Sequence, residues 1–172
     1  GRGAHCVVWR CLRVSQAGSP RQFALKLHNE ETSALKRESG ALTALQQQLS
    51  NGDSELFPRM LGVVKVQGKM GLAMPLYGPD LYQLQKLRER KPFPTAFVWS
   101  LTTQLLHALE ALHKCSLVHA DIKPQNVVLN SASPSEDLNF DTRITLIDLG
   151  SCLTNEQLGA HSKRITSVAF SP

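Results

Sequence analysis

The octet His119-Ala120-Asp121-Ile122-Lys123-Pro124-Gln125-Asn126 is the stretch that decides the fold. Further along, Asp148-Leu149-Gly150 follows directly on the apolar run 144–147, which favours a short strand. The carboxylates of Asp121 and Asp148 and the carboxamide of Asn126 therefore belong to one short loop-and-strand region. Such oxygen ligands suit Mg²⁺ held against a triphosphate, with one carboxylate left to orient a hydroxyl group. The pattern predicts a site for phosphate chemistry.

Two features nearer the N-terminus point in the same direction. The stretch Gly1-Arg2-Gly3-Ala4-His5-Cys6-Val7-Val8 fits a glycine turn whose backbone N–H groups can approach phosphate oxygens. Taken alone, its two glycines suit an ordinary structural turn equally well. The second feature is Lys26, which lies inside the apolar run 23–27 and, if buried, needs an anionic partner. Its alternative is a strand-end lysine that extends to water.

Composition narrows the class of protein. The chain has 172 residues, of which 42% are hydrophobic, and this content excludes a disordered chain. The net charge of +5 is modest, and its densest run, 86–91, is expected to be a solvated face, with nucleic-acid binding as the weaker alternative. The sequence contains no run of 18 apolar residues and no Cys-x-x-Cys pair. We therefore expect an intracellular chain, cytoplasmic or nuclear, with reduced thiols and without a membrane or nucleic-acid partner.

Hydrophobic periodicity predicts a β-rich part followed by a helical part. Strands are expected near 7–9 and 23–27, joined by a turn at 16–21, and again at 62–66, 70–74, 127–129 and 144–147. Helices are expected at 32–49, ended by Asn51-Gly52-Asp53, at 81–87 and at 95–114. The helix 95–114 is apolar over much of its surface, which predicts a core helix. The polar segment 130–143 predicts an exposed loop insert.

In this order, the motifs resemble the eukaryotic protein-kinase family. The resemblance implies an α+β, two-lobe fold. Residues 1–77 would form the N-terminal lobe, with the Gly-rich loop, the A-x-K strand, a helix carrying a glutamate, and the hinge. Residues 78–172 would form a partial C-terminal lobe with the catalytic loop, the D-x-G motif and the activation segment, ending before the family's A-P-E-type motif. We expect such a fragment to be unstable and inactive by itself.

The resemblance also implies ATP and Mg²⁺ as cofactors and a protein as substrate. Lys26 would grip the α- and β-phosphates and would be oriented by an ion pair with Glu38, which lies one turn before an apolar helix face. Glu30 and Glu31 are weaker alternatives, because acidic residues at a helix start serve the helix dipole. Further contacts to the nucleotide would come from Gly1, Gly3, Val8, Ala24, Met74, Pro75, Tyr77 and Val128, with Met74 guarding the back of the pocket.

The catalytic-loop residues receive their roles in the same way. Asp121 would orient the substrate hydroxyl and accept its proton, and Lys123 would neutralise the transferring phosphoryl group. Asn126 and Asp148 would hold Mg²⁺. His119 is expected to be a packed structural histidine that stacks with Leu42 and Leu149 rather than a general base.

The kind of kinase follows from details of these motifs. Lys123 is typical of serine/threonine kinases, and Thr166 agrees with that assignment. The segment 165–172 and the insert 130–143 are most similar to the dual-specificity-regulated and Clk-like branch of the CMGC group. Ala120 stands where the family usually has Arg, so no cation there can clamp a phosphorylated loop. We therefore predict activity that does not depend on activation-loop phosphorylation.

Two other functions remain open on the sequence. A pseudokinase scaffold would bind nucleotide without transferring phosphate, although Lys26, Asp121, Asn126 and Asp148 are all present. A small-molecule kinase of the aminoglycoside or choline type shares the H-x-D-x-x-x-x-N pattern, but such enzymes lack Lys-Pro after the aspartate. A serine/threonine protein kinase is the preferred interpretation.

Overall fold

The structure is a computed structural model, and it describes residues 6–15, 18–28, 33–131 and 138–160. Its strands are β1 Cys6–Ser15, β2 Gly18–His28, β3 Gly62–Val66, β4 Lys69–Pro75, β5 Leu117–Val118, β6 Val127–Leu129, β7 Ile144–Leu146 and β8 Leu153–Thr154. Its α-helices are α1 Ser33–Gln48, α2 Asn51–Ser54, α3 Leu81–Leu87, α4 Thr95–Lys114 and α5 Asn155–Ala160. Two 3₁₀ turns, Pro124–Asn126 and Leu149–Ser151, complete the order. The predicted change from a β-rich part to a helical part is confirmed.

The β-rich part is one antiparallel sheet in the order β1-β2-β4-β3. In its register, Lys26 of β2 lies opposite Val8 of β1 and Leu72 of β4. Helix α1 buries the leucines that the helical spacing singled out, among them Leu42 and Leu45. The sheet and this helix therefore bury the region around Lys26, which is itself almost inaccessible to solvent.

The helical part is organised around α4. Phe97 and Leu112 lie on its fully buried face. From the same face, the side chain of Gln104 donates to the carbonyl oxygen of Thr142 at 3.0 Å and accepts from the backbone N–H of Ile144 at 3.1 Å. This amide satisfies backbone groups at the start of β7, so α4 fixes the strand that leads into the second acidic motif.

A short connector, residues 76–80, joins the β-rich part to the helical part and pairs with β6. The N–H of Gly78 donates to the carbonyl of Leu129 at 2.8 Å, and the N–H of Leu129 donates to the carbonyl of Pro79 at 3.1 Å. A Cβ atom on residue 78 would collide with the carbonyl oxygen of Ser131. Only glycine permits this close approach of two backbones.

Helix α4 is a core helix on one face, as predicted, and exposes apolar side chains on another. Val98, Trp99 and Leu106 are 42%, 67% and 61% exposed. Apolar composition shows that a helix can be buried, but its neighbours decide which faces actually are. None of the helices in the described ranges has both the length and the apolar character needed to cross a membrane.

Two predicted turns also differ. The turn expected over 16–21 is shorter, because β2 already begins at Gly18, which pairs with Ser15. Residues Asn51-Gly52-Asp53 follow the end of α1, as expected, but they form a helical turn of their own rather than a break. The hydroxyl of Ser50 caps this turn by accepting from the N–H of Asp53, and such a cap satisfies a backbone donor that would otherwise be free.

The described residues of the insert 130–143 are mostly exposed, as predicted, with Leu138 as the buried exception. Residues 132–137 lie outside the described ranges, but Leu138 is buried in the core. The hydroxyl of Ser100 on α4 donates to the carbonyl of Phe140 at 2.7 Å. The described end of the insert is therefore anchored to α4, although the Phe140 side chain itself is exposed.

Candidate active site

Lys26 and Glu38 form a buried ion pair between the sheet and α1. The Lys26 ammonium lies 2.8 Å from Oε1 and 2.7 Å from Oε2 of Glu38. Strand β2 directs Lys26 to the side of the sheet on which α1 packs, and Glu38 is 2% exposed on the helix face that meets it. A charge so deeply buried requires a partner, and here each residue supplies it to the other.

Asp148 joins this pair from the other part of the molecule. Its Oδ1 lies 2.7 Å from the Lys26 ammonium, and its backbone is left-handed, with φ of 67°. Its carboxylate is 41% exposed, whereas that of Glu38 is not accessible. Lys26 therefore bridges one enclosed carboxylate and one that faces the solvent.

The electrostatics keep this bridge charged. Burial alone would lower the pKa of Lys26, but the charges of Glu38 and Asp148 outweigh it, so that pKa is raised. For Asp148, burial alone would raise the pKa of the carboxyl, but the ammonium of Lys26 outweighs it and the pKa is lowered. Both groups are therefore ionised throughout the neutral range.

Asp121, Lys123 and Asn126 form a second cluster in the loop before β6. The ammonium of Lys123 donates to Oδ2 of Asp121 at 2.6 Å. The side-chain amide of Asn126 donates to the same oxygen at 3.0 Å and to the backbone carbonyl of Asp121 at 2.8 Å. Because Nδ2 of Asn126 is used in this way, its Oδ1 is the atom that can ligate a cation. Asn126 is almost fully buried, so the loop is held in one conformation.

His119 connects this loop to the residue before Asp148. Its Nε2 donates to the carbonyl of Ile147 at 3.0 Å, and its Nδ1 accepts from the N–H of Asp121 at 3.3 Å. Burial lowers the pKa of His119, so the ring is neutral at pH 7, as this pattern of one donor and one acceptor requires. Leu42 and Leu149, expected to stack with it, are fully buried as it is. The ring ties the two acidic motifs together, and this is a structural role.

The predicted nucleotide-contacting residues surround the connector. Ala24 and Met74 lie opposite each other in β2 and β4, and both are nearly buried. Pro75 ends β4, and Val128 is buried in β6 beside the connector. The hydroxyl of Tyr77 accepts from the backbone N–H of Arg59 at 3.3 Å, and burial raises its pKa. The hydroxyl of Tyr77 is thus engaged by a backbone donor of the β-rich part.

Val8 is placed on β1 directly opposite Lys26, with 37% of its surface exposed. Gly1 and Gly3 lie outside the described residues, as do Thr166 and the segment 165–172. The predicted glycine turn therefore stays a prediction.

Three further features of the structure were not predicted from the sequence. His28 lies with its Nε2 3.7 Å from Glu38. Arg37 donates from Nε to the carbonyl oxygen of Gly150 at 2.9 Å. Asp80 caps α3 by accepting from the N–H of Gln83 at 2.8 Å. For Asp80 a signal existed, since an aspartate directly before a helical pattern is a common N-cap.

The donor set fits Mg²⁺ together with a phosphate-bearing ligand. Within the described ranges, no group of three or more His, Cys, Asp or Glu residues could hold a metal ion by itself. Asp148 and Asn126 offer one carboxylate and one amide oxygen, and Mg²⁺ commonly takes few protein ligands and completes its shell with phosphate and water. These two residues could hold the cation only together with its phosphate partner.

Comparison with known proteins gives a consistent result. The family model described as "Protein kinase domain" matches residues 1–172. The chain is 29% identical to the serine/threonine-protein kinase nekl-2 of Caenorhabditis elegans over 98% of its own length and 46% of the relative's. It is 28% identical to the serine/threonine-protein kinase SRPK of Physarum polycephalum, over 100% of this chain and 42% of that protein.

A third relative is the probable serine/threonine-protein kinase clkA of Dictyostelium discoideum, 29% identical over 85% of this chain and 16% of the relative. The chain thus spans less than half the length of these three curated relatives. A solved structure described as a kinase domain has a TM-score of 0.74 at 22% identity, covering 90% of this chain and 50% of that one. The expected two-lobe α+β fold is confirmed.

Proposed function

This chain belongs to the protein kinase family, and from that premise we propose that it carries the catalytic centre of an ATP-dependent serine/threonine protein kinase. The observation that supports this most directly is the bridge from Lys26 to both Glu38 and Asp148, at 2.7–2.8 Å. It joins a phosphate-binding cation to a candidate metal ligand across the two parts of the molecule. A purely structural lysine would need only one carboxylate.

In the proposed reaction, the substrate hydroxyl oxygen attacks the γ-phosphorus of ATP. The new P–O bond forms as the bond to the β,γ-bridging oxygen breaks, and ADP is the leaving group. Asp121 orients the hydroxyl and accepts its proton. Its Oδ2 is held by Lys123 and Asn126, so the carboxylate is fixed before the substrate arrives. Lys123 would also neutralise charge on the transferring group.

Lys26 would bind the α- and β-phosphates, and Asn126 and Asp148 would hold Mg²⁺. Bound there, Mg²⁺ would neutralise the negative charge that accumulates on the phosphate oxygens. Asp148 is ionised at neutral pH, as a metal ligand must be, because its pKa is lowered. Ala24, Met74 and Val128 provide buried apolar surface suited to an adenine ring.

Several finer assignments belong to the same proposal. Residues 1–77 form the N-terminal lobe and 78–172 part of the C-terminal lobe. The kinase belongs to the CMGC group, with a protein as substrate and an intracellular location. The similarity to the relatives named SRPK and clkA supports this group. Ala120, with φ of 61°, offers no charge to a phosphorylated loop, so we propose activity without activation-loop phosphorylation.

The experiment that tests this proposal is a phosphotransfer assay with radiolabelled ATP, on the full-length protein and its Asp148→Asn variant. The wild type is expected to label a protein substrate only when Mg²⁺ is present. The variant is expected to lose at least about a hundredfold in rate, since a metal ligand is removed. Equal labelling by both would exclude the metal role of Asp148. A wild type that is stabilised thermally by Mg²⁺-ATP but transfers no phosphate would be a scaffold.

A further inference from the structure

Arg37 makes a second link between α1 and the D-L-G segment. Its Nε donates to the carbonyl oxygen of Gly150 at 2.9 Å. Arg37 directly precedes Glu38, and Gly150 lies two residues after Asp148. Both ends of this hydrogen bond are therefore adjacent to members of the ion-pair bridge at Lys26.

The peptide groups of Gly150 are engaged on both sides. Its N–H donates to the carboxylate of Asp148, while its carbonyl accepts from Arg37. The residue also lies close against the first turn of α1, where an added Cβ would come within 3.6 Å of Ala34. Gly150 thus connects the carboxylate of Asp148 to the helix that carries Glu38.

These contacts close a ring. One half runs from Lys26 to Glu38 and through the backbone to Arg37. The other half runs from Arg37 to Gly150, then to Asp148 and back to Lys26. Because the ring is closed, a displacement of α1 that carried Glu38 away from Lys26 would also strain the bond at Gly150. The helix and the D-L-G segment are held in register by two independent links instead of one.

We propose that Arg37 is a positioning residue for phosphoryl transfer, which holds Asp148 and Glu38 in register through the carbonyl of Gly150. This inference rests on the proposed function. Arg37 touches neither substrate nor nucleotide in this role and acts only through Gly150. Since Ala120 provides no cation at its position, the bond from Arg37 supplies alignment that does not require a phosphorylated side chain.

The first test is steady-state kinetics on the full-length protein, comparing wild type with Arg37→Gln. We expect the KM for Mg²⁺-ATP to rise about threefold to tenfold, as the loss of one charge-assisted hydrogen bond implies. The KM for the protein substrate is expected to stay unchanged, because Asp121 and Lys123 are untouched. The control is Arg13→Gln, the same chemical change at an exposed position of β1. An unchanged KM for Mg²⁺-ATP, or an equal rise in both KM values, would overturn the proposal.

The second test does not depend on catalysis. Hydrogen exchange of the amides over 148–152, read by mass spectrometry, is expected to accelerate at least about threefold in Arg37→Gln. Exchange in Arg13→Gln should match the wild type, and the melting temperatures should show that all three proteins are folded. A wild type that transfers no phosphate would refute the proposed function alone. Unchanged exchange over 148–152 would refute the role of Arg37, whether or not the wild type is active.

Discussion

The ammonium of Lys26 lies 2.7 Å from Oδ1 of Asp148, although one residue is in the β-rich sheet and the other follows β7. This contact brings the two parts of the molecule together at the point where phosphate and metal would meet. Glu38 binds the same ammonium at 2.7 Å, so Lys26 joins carboxylates from both parts of the molecule.

The first prediction concerns the buried half of this bridge. Glu38→Gln is expected to destabilise the protein by on the order of 3 kcal/mol, because it leaves the buried ammonium of Lys26 with one carboxylate instead of two. The rate of phosphotransfer should fall at least about tenfold. Thermal or denaturant unfolding together with steady-state kinetics measures both effects.

A matched control exists on α4. Glu110 and Lys114 form an i,i+4 pair at 2.8 Å, and both side chains are largely exposed. Glu110→Gln makes the same chemical change there and should leave both stability and activity unaltered, since solvent screens such a pair. Equal losses of stability in Glu38→Gln and Glu110→Gln would show that burial is not the reason why the Lys26–Glu38 pair stabilises the protein.

The identity of this ion pair could be predicted from the sequence. Among three candidate glutamates, Glu38 was favoured because it precedes the apolar positions Leu42 and Leu45 by one helical turn. The structure places Glu38 at Lys26, and α1 also packs against the Leu149–Ser151 turn. Residue spacing is informative here because residues three or four positions apart lie on the same face of a helix.

Other parts of the site could not be predicted, for physical reasons. The bond from Arg37 to Gly150 ends on a backbone carbonyl, which every residue possesses, so the sequence carries no trace of it. Strands β5 and β8 are two residues long, too short for alternation to show. Apolar side chains occur on both the buried and the exposed faces of α4, for example Leu112 and Leu106. Composition does not identify the neighbours that cover a helix.

The second prediction concerns pH. The pKa of His119 is lowered by burial from its ordinary value of 6.5, so the folded state favours the neutral ring. The unfolded chain then binds more protons below pH 6.5, and stability should fall as the pH drops from about 6.5 toward the folded pKa. His119→Gln should flatten this part of the profile, measured by denaturant unfolding at pH 5 to 8. His113→Gln, at an exposed position, is the control and should retain the slope.

Asp148 and Lys26 set the acid and the alkaline limits of the same profile of stability against pH. The pKa of Asp148 is lowered, so its contribution is present above the unfolded value near 3.9 and is lost as the pH falls through the folded pKa. The pKa of Lys26 is raised, so its contribution is complete below about 10.4 and is lost as the pH rises through the folded pKa. Between pH 5 and 9, neither group should make the free energy of unfolding depend on pH. A pH dependence in that range that disappears in Lys26→Met would contradict this assignment.

The third prediction concerns the connector. Gly78→Ala should destabilise the protein by about 2 kcal/mol or more, because the new Cβ would collide with the backbone of Ser131 and break the pairing with Leu129. Gly40→Ala lies within α1 with open space around it, and it should instead stabilise by about 0.5–1 kcal/mol. Denaturant unfolding should therefore show changes of opposite sign in the free energy of unfolding of the two variants. A neutral Gly78→Ala would show that the connector does not need its close approach to β6.

The central claim is that Asp121, held by Lys123 and Asn126, receives the proton of a substrate hydroxyl during transfer from ATP. The most direct measurement is the rate of phosphoryl transfer by the full-length protein and its Asp121→Asn variant, which keeps the shape of the side chain but removes its basicity. We expect kcat to fall at least about a hundredfold, with the KM for Mg²⁺-ATP changed by no more than about twofold. Equal rates in the two proteins, with Mg²⁺ and ATP saturating, would contradict it.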